Sequence, residues 1–90
     1  MPSEEYTLSY SEAALAFLPT LPPKLRRQVT EKIRRLSTDI RPPGCKLVQG
    51  VVDGDQPVYR IRQGDHRVLY VVRDSVVIVL DIDHRKDIYR

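Results

Sequence analysis

The 90 residues hold 15 lysines and arginines against 12 acids, a formal net charge of +3 with a pI near 9.2. This length suits one domain, residues 1–90, with a single modest core. A composition 41% hydrophobic and 30% charged, with no apolar run near the roughly 20 residues a bilayer requires, excludes a membrane span. The start, Pro2-Ser3-Glu4-Glu5, has no positive region ahead of an apolar stretch, so no secretory signal is expected and the expected compartment is the cytoplasm. Cys45 stands alone, which rules out an internal disulfide, and with His66 and His84 it gives no metal-ligand spacing; neither a metal nor a cofactor is expected.

In chain order, Tyr6, Leu8 and Tyr10 alternate with Thr7 and Ser9 as a short strand of period two. Ser11 is placed to cap a helix over Glu12 to Leu18, which Pro19 ends. Pro22-Pro23 opens a second helix, whose buried stripe is Leu25, Val29, Ile33 and Leu36. Charge is unevenly spread. Residues 1–23 contain three acids and no base, whereas Lys24, Arg26, Arg27, Lys32, Arg34, Arg35 and Arg41 face only Glu31 and Asp39 in the next stretch. On a helix such a run reads first as a solvated surface, and secondly as a stripe facing phosphates.

Arg41-Pro42-Pro43-Gly44 interrupts regular structure. Lys46-Leu47-Val48 then reads as a short strand, and Gly50 to Pro57 as a turn. Three β-branched runs follow, Val58 to Arg62, Val68 to Val72 and Val76 to Ile82, separated by Gln63-Gly64-Asp65 and Asp74-Ser75 as in an antiparallel meander. The expected fold is therefore α+β, two N-terminal helices packed on one face of a small antiparallel sheet. Ile61, Val68, Tyr70 and Val72 would face the helices, and Arg60, Arg62 and Arg67 would look outwards on the other face. A two-residue Gly64-Asp65 turn sets Arg62 opposite Arg67. Like charges across a ladder cost some tenths of a kcal/mol, about what an anionic ligand would relieve. Continuing the ladder through Asp74-Ser75 sets Ile82 opposite Arg67 and puts His84 on the arginine face.

The segments Tyr59-Arg60-Ile61-Arg62, Gly64-Asp65-His66-Arg67-Val68-Leu69-Tyr70 and His84-Arg85-Lys86-Asp87-Ile88-Tyr89, with the approach Lys46 to Gly50 and the two leading helices, resemble the RelE/ParE superfamily of type II toxins. The resemblance spans nearly the whole chain. It implies one of two activities: endonucleolytic cleavage of mRNA in the ribosomal A site, as in the RelE branch, or poisoning of DNA gyrase, as in the ParE branch. A third reading is an inactive member that serves only as an antitoxin-binding corepressor.

The RelE-type positions are largely filled. By resemblance, Arg67 corresponds to the arginine that holds the scissile phosphate, Arg85 to the one near the leaving oxygen, and Tyr89 to the tyrosine that stacks on the nucleotide. The expected catalytic set is thus Arg62, Arg67, His84, Arg85 and Tyr89, and the expected RNA-binding set Lys46, Arg60 and His66. Arg60 and Arg62 stand where RelE enzymes carry lysines. A guanidinium holds two phosphate oxygens well but is a poor base at neutral pH. Proton transfer then falls to His66 or His84, or to water or the ribosome. The partners implied are a cognate antitoxin, mRNA and the ribosome with its 16S rRNA, and operator DNA reached through the antitoxin; no membrane is implied.

Overall fold

The computed structural model describes residues 5–84. Its elements are β1 (Thr7–Tyr10), α1 (Glu12–Phe17), α2 (Pro23–Arg34), β2 (Lys46–Asp53), β3 (Gln56–Gln63), β4 (His66–Arg73) and β5 (Val76–His84), with single 3-10 turns at Leu18–Thr20 and Arg35–Ser37. The five strands form one sheet in the order β1-β5-β4-β3-β2. Strands β2 to β5 are an antiparallel meander, whereas β1 lies parallel to β5, with Thr7 paired to Val76 and Tyr10 to Val79. The parallel pair follows from the route of the chain, since both helices are spent between β1 at one edge and β2 at the other.

Local chemistry accounts for most boundaries. Ser11 caps α1 by accepting the Ala14 N–H at 3.1 Å. Pro19 tightens the end of that helix into a 3-10 turn, since it cannot supply the next donor. Gly64 (φ 62°) and Asp74 (φ 59°) take the left-handed conformation that tight hairpins require, which glycine and aspartate tolerate best. Strand β2 is longer than Lys46-Leu47-Val48: it runs to Asp53, with a register shift between Leu47 and Val52, and the turn contracts to Gly54-Asp55. Gly50 (φ 78°) lies within that irregular stretch, and Arg73 pins the hairpin tip by donating to the Asp53 carbonyl and carboxylate at 3.0 and 3.1 Å.

Both helices cover one face of the sheet. Ala14, Leu21, Val29, Ile33 and Leu36 meet Ile61, Val68, Tyr70, Val77, Val79 and Ile82 in one buried cluster, against which Leu25 and Val72 pack partly exposed. Burying each of these large side chains is worth about 1.5–3 kcal/mol. Tyr70, fully buried, donates its hydroxyl proton to the Ile40 carbonyl and lies 3.1 Å from the Cys45 Sγ. Arg41 stacks 3.6 Å from the centre of the Tyr59 ring, so the segment between α2 and β2 is fastened to the helix side of the sheet at two points.

Strand β5 departs from simple alternation. Val77, Val79 and Ile82 all reach the helix-side core, a spacing of two and then three. The ladder accommodates this with a bulge, pairing Tyr70 with Val79 but Leu69 with Asp81. Ser11 secures the bulge, its Oγ donating to the Leu80 carbonyl at 2.6 Å while its N–H donates to the Val79 carbonyl at 2.9 Å.

Candidate nucleic-acid interface

The face turned away from the helices carries the charge. Residues directly opposite in an antiparallel ladder project to the same side, so the register arranges this face in rows. One row runs Arg62, Arg67, Asp83 across β3, β4 and β5. The next runs Lys46, Arg60, Leu69, Asp81 across β2 to β5. By alternation Val58 and Val71 belong to the same face, where they are buried outside the helix-side cluster. Four cations from three strands therefore converge over an apolar floor, with two carboxylates along one border.

The rows bear out Arg62 opposite Arg67 but change the surroundings of both. Arg67 was expected to look outwards, yet it is only 8% exposed. It sits on the central strand, between β3 and β5, while Arg62 and Lys46 nearer the free edge stay exposed and Arg60 is half-buried. A sheltered guanidinium interacts with an anion through a lower effective dielectric than an exposed one, so its charge counts for more.

The bulge overturns the expected neighbour of Arg67. An unbroken ladder would set Ile82 across from it; the extra residue instead brings Asp83 there and Asp81 beside Leu69. The two histidines are moved with it. His66 pairs with His84 on the helix side, their rings 5.5 Å apart edge to face, and His66 also meets the Phe17 ring of α1 at 5.9 Å. His84 is thus not brought to the arginine face, and neither is His66. Arg85 and Tyr89 lie outside the described residues.

Asp81 and Asp83 escaped the sequence reading because straight alternation hid them. The signal was present in the spacing of Val77, Val79 and Ile82, which no unbroken strand can bury on one side. Each carboxylate is oriented by the backbone that follows it: Asp81 Oδ1 accepts the Ile82 N–H at 2.9 Å, and Asp83 Oδ1 the His84 N–H at 2.7 Å. Burial raises the Asp81 carboxyl above its ordinary value; the Ile82 N–H opposes the rise and the nearby Asp83 charge adds to it.

Basic residues also border the face on the helix side. Lys24, Arg27, Lys32, Arg35 and Gln63, with Glu31, line an open groove of about 490 Å3 along α2. Lys32 is shared with a smaller hollow of about 290 Å3 that reaches Arg62 and Gly64. Lys32 of α2 and Arg62 at the end of the arginine row therefore line one hollow. No helix among the described residues is long and apolar enough to cross a membrane.

Residues 8–89 match the family described as ParE toxin of type II toxin-antitoxin system, parDE. The chain is similar to Toxin RelG of Mycobacterium tuberculosis, 30% identical over 91 residues, an alignment covering 94% of this chain and 97% of RelG. Among solved structures it resembles the archaeal RelE–RelB complex of Pyrococcus horikoshii, with a TM-score of 0.77 and 28% identity over 90% of this chain and 96% of that one. The RelBE2 toxin–antitoxin complex of M. tuberculosis gives a TM-score of 0.75 and 28% identity over 93% and 95%.

Proposed function

Because the chain belongs to the RelE/ParE superfamily and is a toxin of a type II toxin-antitoxin system, we propose that it is a metal-independent endoribonuclease that cleaves mRNA in the ribosomal A site. The observation that carries this reading is the row of Arg62 and Arg67 flanked by Arg60 and Lys46 on one sheet face. Like charges so close serve stability poorly and serve a polyanion well.

The reaction is attack of a ribose 2′-oxygen on the adjacent phosphorus with departure of the 5′-oxygen. Negative charge grows on the non-bridging oxygens, and fixed cations aimed at it lower the barrier without reorganising. Arg67, sheltered and planar, is suited to grip two of those oxygens, with Arg85 assigned by resemblance to the leaving side. Arg60, Arg62 and Lys46 hold flanking phosphates, and Tyr89 stacks on a base, the usual means of recognising splayed single-stranded RNA. The basic groove along α2 rests on 16S rRNA.

The partner that restrains the toxin is a cognate antitoxin, as in the RelE–RelB complexes of similar fold. An acidic segment would cover the arginine face, and the exposed Leu47, Val51 and Val52 on edge strand β2 offer it apolar contact. Operator DNA is reached through that antitoxin, and the complex works in the cytoplasm. Gyrase inhibition is the second reading, favoured by the description of the matched family as ParE toxin.

The deciding experiment induces the wild-type chain and an Arg67→Ala, Arg85→Ala variant in a bacterium and maps mRNA 5′ ends on and off translating ribosomes. Cuts within translated codons that disappear in the variant are expected. Growth arrest with intact mRNA and broken or relaxed DNA would instead select gyrase.

A further inference from the structure

With both histidines on the helix side and a cluster of arginines on the other, the reacting face needs a base that is not a guanidinium. Asp81 and Asp83 are the carboxylates that the register places beside those cations. Asp83 stands directly across from Arg67 in the ladder. Asp81 lies one row away, diagonal to Arg67, at a separation of about 7–8 Å between Cα atoms. Both side chains belong to one face in neighbouring rows, so a phosphate on Arg67 would have Asp81 beside its neighbouring 2′-hydroxyl.

We propose that Asp81 takes the 2′-hydroxyl proton in this reaction, an inference that rests on the endoribonuclease reading. The 2′-O–H bond breaks with its proton passing to the Asp81 carboxylate as the 2′-oxygen bonds to phosphorus. The P–O5′ bond breaks, and the leaving oxygen takes a proton from water. The products are a 2′,3′-cyclic phosphate and a 5′-hydroxyl; Asp81 returns its proton to the hydroxide left by that water, so nothing is oxidised or consumed.

Three features equip Asp81 for the task. The Ile82 N–H holds Oδ1 and so orients the carboxylate. Burial raises its basicity above that of an ordinary aspartate, and Asp83 adds to the rise. The charged groups on its face are Arg67 on the diagonal, Asp83 on its own strand, Arg60 two strands away and Lys46 three strands away; of these Asp83 adds to its raised basicity.

The test is single-turnover cleavage of mRNA on programmed ribosomes across pH 4 to 8 by wild type, Asp81→Asn and Asp83→Asn, with binding to the same ribosomes measured in parallel. The side-chain amide oxygen of the Asp81→Asn variant can still accept the Ile82 N–H, so the bulge is kept. Asp81→Asn is expected to slow cleavage about 100-fold or more with binding within about threefold of wild type, and to abolish the acid limb of the pH profile. Asp83→Asn is expected to shift that limb to lower pH, because one cause of the raised Asp81 basicity is removed. Cleavage by Asp81→Asn within threefold of wild type, or an acid limb unchanged by either substitution, overturns the proposal while leaving the endoribonuclease reading intact. Wild-type protein that binds ribosomes and cuts nothing overturns both.

Discussion

Arg62 and Arg67 stand directly opposite each other on β3 and β4, two like charges projecting to one side of the sheet. Replacing the exposed member relieves repulsion and removes a phosphate contact together. Arg62→Gln is expected to leave stability unchanged or raise it by about 0.2–1 kcal/mol in denaturant unfolding. RNA binding should weaken, with the slope of log K against log salt falling by roughly one. A loss of stability instead would identify Arg62 as a structural residue.

Arg67 is 8% exposed, so its removal acts on the fold as well as on the site. Arg67→Ala is expected to lower cleavage by about 10²–10³-fold, the usual scale for deleting one group that stabilises developing charge. Arg67→Lys restores the charge but not the planar fork, and should recover binding more fully than rate. Comparing Kd with the single-turnover rate for the two variants separates these effects.

Ser11 serves the helix and the bulge at once, accepting the Ala14 N–H and donating to the Leu80 carbonyl. Ser11→Ala should cost about 1–2 kcal/mol in urea unfolding, the ordinary loss of a helix cap. Because the bulge places Asp81 and Asp83, the same variant should also cleave more slowly than its folded fraction explains. Normal cleavage per folded molecule would show that the bulge holds without this bond.

Tyr70 predicts the alkaline behaviour. Burial first, and then its bond with Cys45, raise its hydroxyl well above the ordinary value of 10.0. Below pH 10 the group is neutral folded and unfolded, and has no effect on pH dependence. Above that value the unfolded chain ionises while the folded one keeps the proton, so stability falls as pH rises. Tyr70→Phe should cost about 0.5–1.5 kcal/mol at pH 8, yet lose stability less steeply above pH 10. A residual slope belongs in part to Tyr10, also raised by burial, against which the Arg34 charge works.

Asp81 predicts the opposite end of the scale. Its folded value is raised chiefly by burial, so ionising it disfavours the fold, and that penalty develops as pH climbs from the unfolded value through the folded one. Asp81→Asn escapes it. Thermal unfolding should therefore show the variant gaining on wild type between pH 3 and pH 7, with the difference absent at the acid end.

Much of this architecture was local, and so legible. The stripe of Val29, Ile33 and Leu36, the Ser11 cap and the strand alternation each depend on residues within a few positions of one another. The two-residue Gly64-Asp65 turn made the Arg62 and Arg67 pairing computable before any packing was known, since turn length sets register in a hairpin. Family resemblance then supplied a chemistry for the pair.

Packing between distant segments decided the rest. Whether β5 runs straight or bulges depends on helices more than 40 residues away, which draw both Val79 and Ile82 into one core, and on Ser11, 69 residues from Leu80. That one inserted residue turned His84 toward the helices and brought Asp83 across from Arg67. The shelter of Arg67 was equally nonlocal, because it follows from β4 being central in a sheet whose order depends on where β1 docks. Sequence by itself determined which residues lie on each side of the β3–β4 hairpin; only the tertiary structure decided which anions meet the arginines, because a side-chain period of two survives only until the core requires a bulge.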